Sequence, residues 1–150
     1  MKKLNHIDDN GKINMIDVTD KPVGIKEAQA SGFVHLKPET VRLIKENELQ
    51  KGEIIALAEI SGIQAASSTC HLIPLVHNVP LTHVDVKAYV FPNGIEVKSI
   101  VKSVCQSGIE IEALTAVSVA LFAIYEICKN ADSSMVISDI KLLYKTPEGS

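Results

Sequence analysis

From Ala113 to Tyr125 the chain reads ALTAVSVALFAIY, with no charged residue between Glu112 and Glu126. A surface helix shows a polar stripe, whereas a helix that is apolar all round has to be covered on more than one flank. The segment predicts a helix over residues 110–129 with one side on a sheet. The other side would meet a neighbouring subunit, because a chain of 150 residues has little else to cover it. An oligomer is therefore expected. The uncharged run is well short of a membrane span, so no membrane partner is expected.

The rest of the chain divides around this helix. Residues 1–12 are polar and predict a flexible arm; residues 13–145 read as a single domain and 146–150 as a tail. "NMIDVTDKPV" alternates apolar and polar residues and predicts a short strand. "GIKEAQASG" predicts a short helix and "FVHL" another strand. "KPETVRLIKENEL" has Pro38 at a helix start and should stop near Lys51-Gly52. A further helix is expected over residues 53–72, with small residues (Ala58, Gly62, Ala65, Ala66) that would let another element approach closely. From Leu81 the period becomes two: Val84, Val86, Ala88 and Val90 share one face and His83, Asp85, Lys87 and Tyr89 the other. "PNG" at 92–94 closes a hairpin onto "IEVKSIVKSVC". "MVISDIKLLYK" is a last strand. The sum is an α+β protein. With no tryptophan and 4% aromatic residues, its core must be Val, Ile, Leu and Ala.

A net charge of −3 argues against general nucleic-acid binding, which needs a basic face. It leaves room for a local lysine cluster around a small anionic ligand. Cys70, Cys105 and Cys128 form no CxxC pair, which fits a reduced, cytoplasmic setting. His71, His77 and His83 recur at intervals of six beside Cys70. In extended chain six residues span roughly 20 Å, so His77 and His83 cannot share one ion within a chain, and no metal site is expected.

Four places carry candidate chemistry. His77 sits in an oily segment, LIPLVHNVPL, stiffened by Pro74 and Pro80. It is either a linker histidine satisfied locally or an acid/base group held in a rigid frame. Glu110 and Glu112 would share a face only in extended chain, because on a helix they diverge by roughly 200°. They read either as helix N-terminal acids or as a carboxylate pair for proton transfer. Glu126 and Lys129 are spaced for an i, i+3 ion pair; beside an apolar helix they could be partly desolvated, which would tune the lysine. Glu112 and Glu126 lie roughly 21 Å apart along one helix, so a site using both is extended or assembled from two subunits. Lys51 by itself reads as a helix-ending lysine beside a capping glycine. No P-loop, GxGxxG, serine elbow or Cys-His nucleophile pattern is present.

Five stretches taken together, "MIDVTDKPV", "KGEIIALAEISGIQAA", "LIPLVHNVPLTHVDV", "GIEIEALTAVSVALFAIYEICK" and "MVISDIKLL", resemble the MoaC family, the cyclic pyranopterin monophosphate synthases of molybdenum cofactor biosynthesis. The resemblance implies a ferredoxin-like antiparallel sheet with helices on one face. It also implies a hexamer, a trimer of dimers, with sites at dimer interfaces. The activity it implies is a pyrophosphate-releasing lyase acting on 3′,8-cyclo-7,8-dihydroguanosine 5′-triphosphate, with Mg²⁺ as an optional companion of the triphosphate. It points to Lys51, His77, Glu126 and Lys129 as catalytic. Asp17, Lys21, Lys26, Val76, Glu110, Glu112 and Lys145 would bind substrate. The chain departs from the family at Ser67, where lysine is usual, at Val76-His77-Asn78, usually Cys-His-Pro, at Lys26 and Glu126, and in a tail lacking the usual glycines and lysines. These departures leave a second reading: a pterin- or nucleotide-binding homologue with weak turnover. A purely structural oligomer of the same fold is a third.

Overall fold

A computed structural model describes residues 4–148; the outermost parts of the expected arm and tail, residues 1–3 and 149–150, lie outside the described residues. The elements in order are β1 (Gly24–His35), α1 (Pro38–Glu46), α2 (Glu48–Ser67), α3 (Thr69–Leu72), β2 (Leu81–Phe91), β3 (Gly94–Cys105), α4 (Glu110–Cys128) and β4 (Val136–Lys145). The four strands form one open antiparallel sheet in the order β2-β3-β1-β4. The chain is thus an α+β protein, as its sequence predicts.

One face of the sheet is buried. Ala28, Ala30 and Val34 of β1, Val86 of β2, and Ile95, Val97 and Val101 of β3 have almost no exposed surface. Against them lie Ala113, Ala116, Val117, Ala120, Leu121 and Ile124 of α4, all fully buried. The opposite face carries Lys87, Glu96, Lys98 and Lys102, with local ion pairs such as Lys98–Glu96. No aromatic side chain is in the core, which is aliphatic as expected.

Residues 24–32 are strand and not the short helix their composition predicts. Glu27, Ala28, Gln29 and Ala30 all tolerate helix, so local propensity is nearly indifferent and tertiary packing decides. A Cβ on Gly32 would lie 2.8 Å from Leu121 Cδ1 and 2.8 Å from Val117 Cγ1. The alternation Ala28, Ala30, Gly32 is therefore the small-residue floor on which α4 rests. The short strand FVHL is simply the continuation of β1. "NMIDVTDKPV" is not a strand: residues 14–18 are irregular and have no ladder partner. Side chains bond its carbonyls instead, as described below.

Helix boundaries also differ. α1 stops at Glu46, and Asn47 begins α2 by accepting the Gln50 amide on its side-chain oxygen at 3.1 Å. Lys51-Gly52, expected to end a helix, falls in the opening turns of the next one. The capping asparagine outweighs the breaking tendency of Gly52, about 1 kcal/mol. α2 ends at Ser67, and residues 69–72 form the separate turn α3.

α2 meets α4 at Gly62, where an added Cβ would lie 2.8 Å from the Ala116 carbonyl oxygen. Toward the start of α2, Gln50, Ile54 and Leu57 share a cleft with Ile127 and Cys128 at the other end of α4. The two helices are therefore antiparallel. α4 is long and apolar enough to cross a membrane by composition, yet it is the centre of the core, packed on the sheet and on α2. α2 thus covers a flank that the sequence assigned to a second subunit. Phe122, Tyr125 and Ile127 of α4 and Leu57 and Ile60 of α2 remain exposed.

Asp132, 1% exposed, ties the ends of the layers together. Its carboxylate accepts the Lys37 amide at 2.7 Å and the Thr40 hydroxyl at 3.0 Å, serving as a distant cap for α1. It also accepts the Ser134 amide and hydroxyl at 3.0 and 2.9 Å. Burial opposes its charge, but these four donors prevail and lower its pKa to about 2. Asp132→Ala leaves those donors unpaired, and denaturant titration should show a loss of about 3 kcal/mol. Because the folded pKa is depressed, this contribution holds above pH 4 and is lost as pH falls toward 2. The native protein should show that acid limb and the variant should lack it.

Candidate active site

A cavity of about 520 Å³ opens where the chain leaves β3 and enters α4. Its frame is the loop 106–109, the first turn of α4, the proline-bracketed segment 75–77, the end of β4, and the strap formed by residues 16–22. His77, Val76, Glu110 and Glu112 line it, together with Lys21, Lys26 and Lys145. Asp17 lies on the strap beside the lining residues Ile16 and Val18.

The segment 73–80 is irregular, as its prolines require, and Leu75 takes a positive φ of 67°. That left-handed turn is unfavourable for a bulky side chain and reverses the backbone immediately before Val76 and His77. His77 Nε2 lies 2.7 Å from the Ile16 carbonyl oxygen. A carbonyl only accepts, so Nε2 carries the hydrogen.

The two carboxylates at the start of α4 meet the same cavity in spite of their helical spacing. Glu110 is the first helical residue and its carboxylate folds back over Gly108, while Glu112 points inward from the same turn. Glu112 is 4% exposed. Burial pushes its pKa up to about 7, and the neighbouring Glu110 charge adds to the rise. A buried carboxyl that titrates near neutrality can hold or release a proton at working pH. Asp17 is displaced the other way: the Thr19 hydroxyl, at 2.5 Å, and then the Thr19 amide hold its carboxyl below the ordinary range.

β4 delivers Lys145, and the following Thr146 is pinned to β1. The Thr146 hydroxyl accepts the Glu27 amide at 2.7 Å, and its amide donates to the Glu27 carbonyl at 2.9 Å. Gln106, Ser107 and Thr146 line the cavity without any signal in the sequence. They are polar loop residues, and only the fold places them there.

Lys51, Glu126 and Lys129 are elsewhere. They lie at the end of the antiparallel α2–α4 pair remote from the cavity, with Lys51 in the opening turns of α2 and the other two at the finish of α4. Lys129 Nζ stands 2.9 Å from Glu126 Oε2 as an i, i+3 pair, with 49% and 71% of the two side chains exposed. Within one chain the pair is therefore solvated and not partly desolvated. Helix geometry separates Glu112 from Glu126 by roughly 21 Å. Among the described residues no group of three His, Cys, Asp or Glu side chains comes together as a metal would need.

The MoaC family profile matches residues 15–148, which include both groups of side chains. This chain belongs to the MoaC family. A cyclic pyranopterin monophosphate synthase of Thermoanaerobacter sp. (strain X514) is 44% identical over 145 residues, covering 95% of this chain and 92% of that protein. One of the same name from Thermoanaerobacter pseudethanolicus is 43% identical with the same coverage. The MoaC match therefore includes the strap, the histidine segment, the acidic helix start and the Glu126–Lys129 pair in one chain.

Proposed function

We propose that this chain is a cyclic pyranopterin monophosphate synthase of molybdenum cofactor biosynthesis. In this reading it is a lyase that rearranges 3′,8-cyclo-7,8-dihydroguanosine 5′-triphosphate and expels pyrophosphate. The observation that carries the reading is the cavity itself. It joins an imidazole of defined tautomer, a carboxyl titrating near pH 7, and lysines on three different segments, in a chain of the MoaC family. A ring-opening and ring-closing sequence needs several proton transfers, which His77, Glu110 and Glu112 are equipped to divide. Lys21, Lys26 and Lys145 supply positive charge for the phosphates, with Asp17 ordering the strap. Val76 contributes a wall. Closure of the cyclic phosphate is attack of a sugar-derived oxygen on the α-phosphorus. A P–O bond forms there as the bond to pyrophosphate breaks, and cations stabilise both the transition state and the leaving group. Mg²⁺, if used, would arrive with the triphosphate as part of the substrate.

Lys51, Glu126 and Lys129 enter this scheme through a second copy. We read the strand order and the α2–α4 layer as the ferredoxin-like arrangement, whose exposed Leu57, Ile60, Phe122 and Tyr125 suit burial between subunits. A dimer that sets the remote end of one helix pair against the cavity of its partner completes the set. Three such dimers make the hexamer. The Lys129–Glu126 pair would then be desolvated by assembly, in a cytoplasmic enzyme.

The test is pyrophosphate release from the 3′,8-cyclised precursor by the native protein and by Lys51→Ala. Release by the native protein and at least a hundredfold less by the variant is the expected result. Equal release by both removes Lys51 from the chemistry. Tight binding of the precursor without release by the native protein makes this a binding homologue, with exposed Ser67 and the altered tail as the first residues to restore.

A further inference from the structure

The strap of residues 16–22 lines the cavity through Ile16, Val18, Lys21 and Pro22, yet its stretch through Val18 has no strand partner. An extended segment without a ladder is held in one place by whatever protein groups bond its backbone. Two side chains do so. His77 Nε2 donates to the Ile16 carbonyl at 2.7 Å, and Gln106 Nε2 donates to the Thr19 carbonyl at 3.2 Å and the Lys21 carbonyl at 3.1 Å. Gln106 sits just after β3, at the foot of the loop that leads into α4, so its own backbone is anchored by the sheet. Inside the strap, the Lys21 amide bonds the Val18 carbonyl at 3.0 Å and Asp17 closes a turn on Thr19. These few local bonds lie in an exposed segment, so the turn persists only as far as Gln106 and His77 tie it to the cavity rim.

We infer that Gln106 is a positioning residue: its carboxamide clamps the Thr19 and Lys21 carbonyls and thereby holds the Lys21 ammonium over the cavity for the substrate's phosphates. The inference rests on the proposed reaction for the identity of those phosphates, but not for the clamp. A carboxamide suits the task because its NH₂ offers two donors, whereas an isosteric carboxylate offers only lone pairs to two carbonyl oxygens. Losing the clamp raises the entropic cost of ordering the strap at binding and leaves the acid/base groups in place, so the effect should fall on KM more than on kcat.

The experiment compares native protein with Gln106→Glu, which keeps the shape and loses the donors, and with Gln106→Lys, which restores a donor. For each, kcat and KM for pyrophosphate release, the affinity for inorganic tripolyphosphate, and hydrogen exchange of the Thr19 and Lys21 amides are measured. In Gln106→Glu, KM should rise about tenfold with kcat within about twofold, and both amides should exchange about tenfold faster. Gln106→Lys should recover most of the native exchange protection and KM. Unchanged exchange in Gln106→Glu overturns the clamp. Faster exchange with unchanged KM and unchanged tripolyphosphate affinity overturns its role in positioning Lys21. If the native protein releases no pyrophosphate, the proposed reaction fails, and exchange together with tripolyphosphate affinity still decides the case for Gln106.

Discussion

Mixing Lys51→Ala chains with His77→Ala chains is expected to restore pyrophosphate release that neither variant shows alone. The two residues occupy opposite ends of the α2–α4 pair, with Lys51 in the opening turns of α2 and His77 on the cavity at the start of α4. If each site takes its cavity from one subunit and its remote lysines from the partner, a mixed dimer has one doubly altered site and one native site. Random exchange makes about half the dimers mixed, so about a quarter of the native rate should return. Each variant alone should lose at least a hundredfold, the usual cost of a missing acid/base group or charge clamp. The measurement is the initial rate after co-refolding or co-expression, against unmixed controls. Absence of recovery would mean that both residues serve the same site from one chain, or that one of them serves none.

Glu112→Gln should have the next largest effect, with opposite signs for stability and activity. Glu112 is buried without a cationic partner strong enough to offset burial, and its pKa is pushed up to about 7. A raised carboxyl pKa favours the folded state fully below the unfolded value near 4.5, and this contribution is lost as pH rises through about 7. The native protein should therefore lose stability between those limits, on the order of 3 kcal/mol if the full shift is expressed. Glutamine is neutral throughout, so the variant should be flat across the same range and the more stable of the two at pH 8. Its pyrophosphate release should fall about a hundredfold, since an amide cannot exchange a proton. Urea titrations at pH 5, 7 and 8 separate the outcomes. An unchanged slope in the variant would show that Glu112 is not the titrating group.

Through its resemblance to the MoaC family, the sequence singled out Glu110, Glu112, Glu126, Lys129, His77 and Lys51 together as candidates. That they fall into two groups was legible only in part. The length of one helix separates Glu112 from Glu126, but nothing local says that α2 runs antiparallel to α4 and carries Lys51 to the far end. Gln106, Ser107 and Thr146 were invisible, because a polar residue in a loop looks the same whether it faces a cavity or open water.

By itself the sequence determined the elements whose pattern is periodic and strong: the apolar α4, the β2–β3 hairpin with its period of two, α1 with Pro38 at its start, and the family. In those segments side-chain burial and local propensity point the same way, so the local signal suffices. Tertiary structure decided the rest. Residues 24–32, nearly indifferent between helix and strand, became the strand on which α4 lies because Gly32 and its alanine neighbours allow the approach of Val117 and Leu121. Residues 14–18 alternate like a strand but have no ladder, since Ile16 and, further along, Thr19 and Lys21 give their carbonyls to His77 and Gln106. Glu112 acquired its raised pKa chiefly by burial at the start of α4, with the Glu110 charge adding to it. A charge, a carbonyl or a small side chain takes its energy from what surrounds it, and those surroundings come from residues far away in the chain.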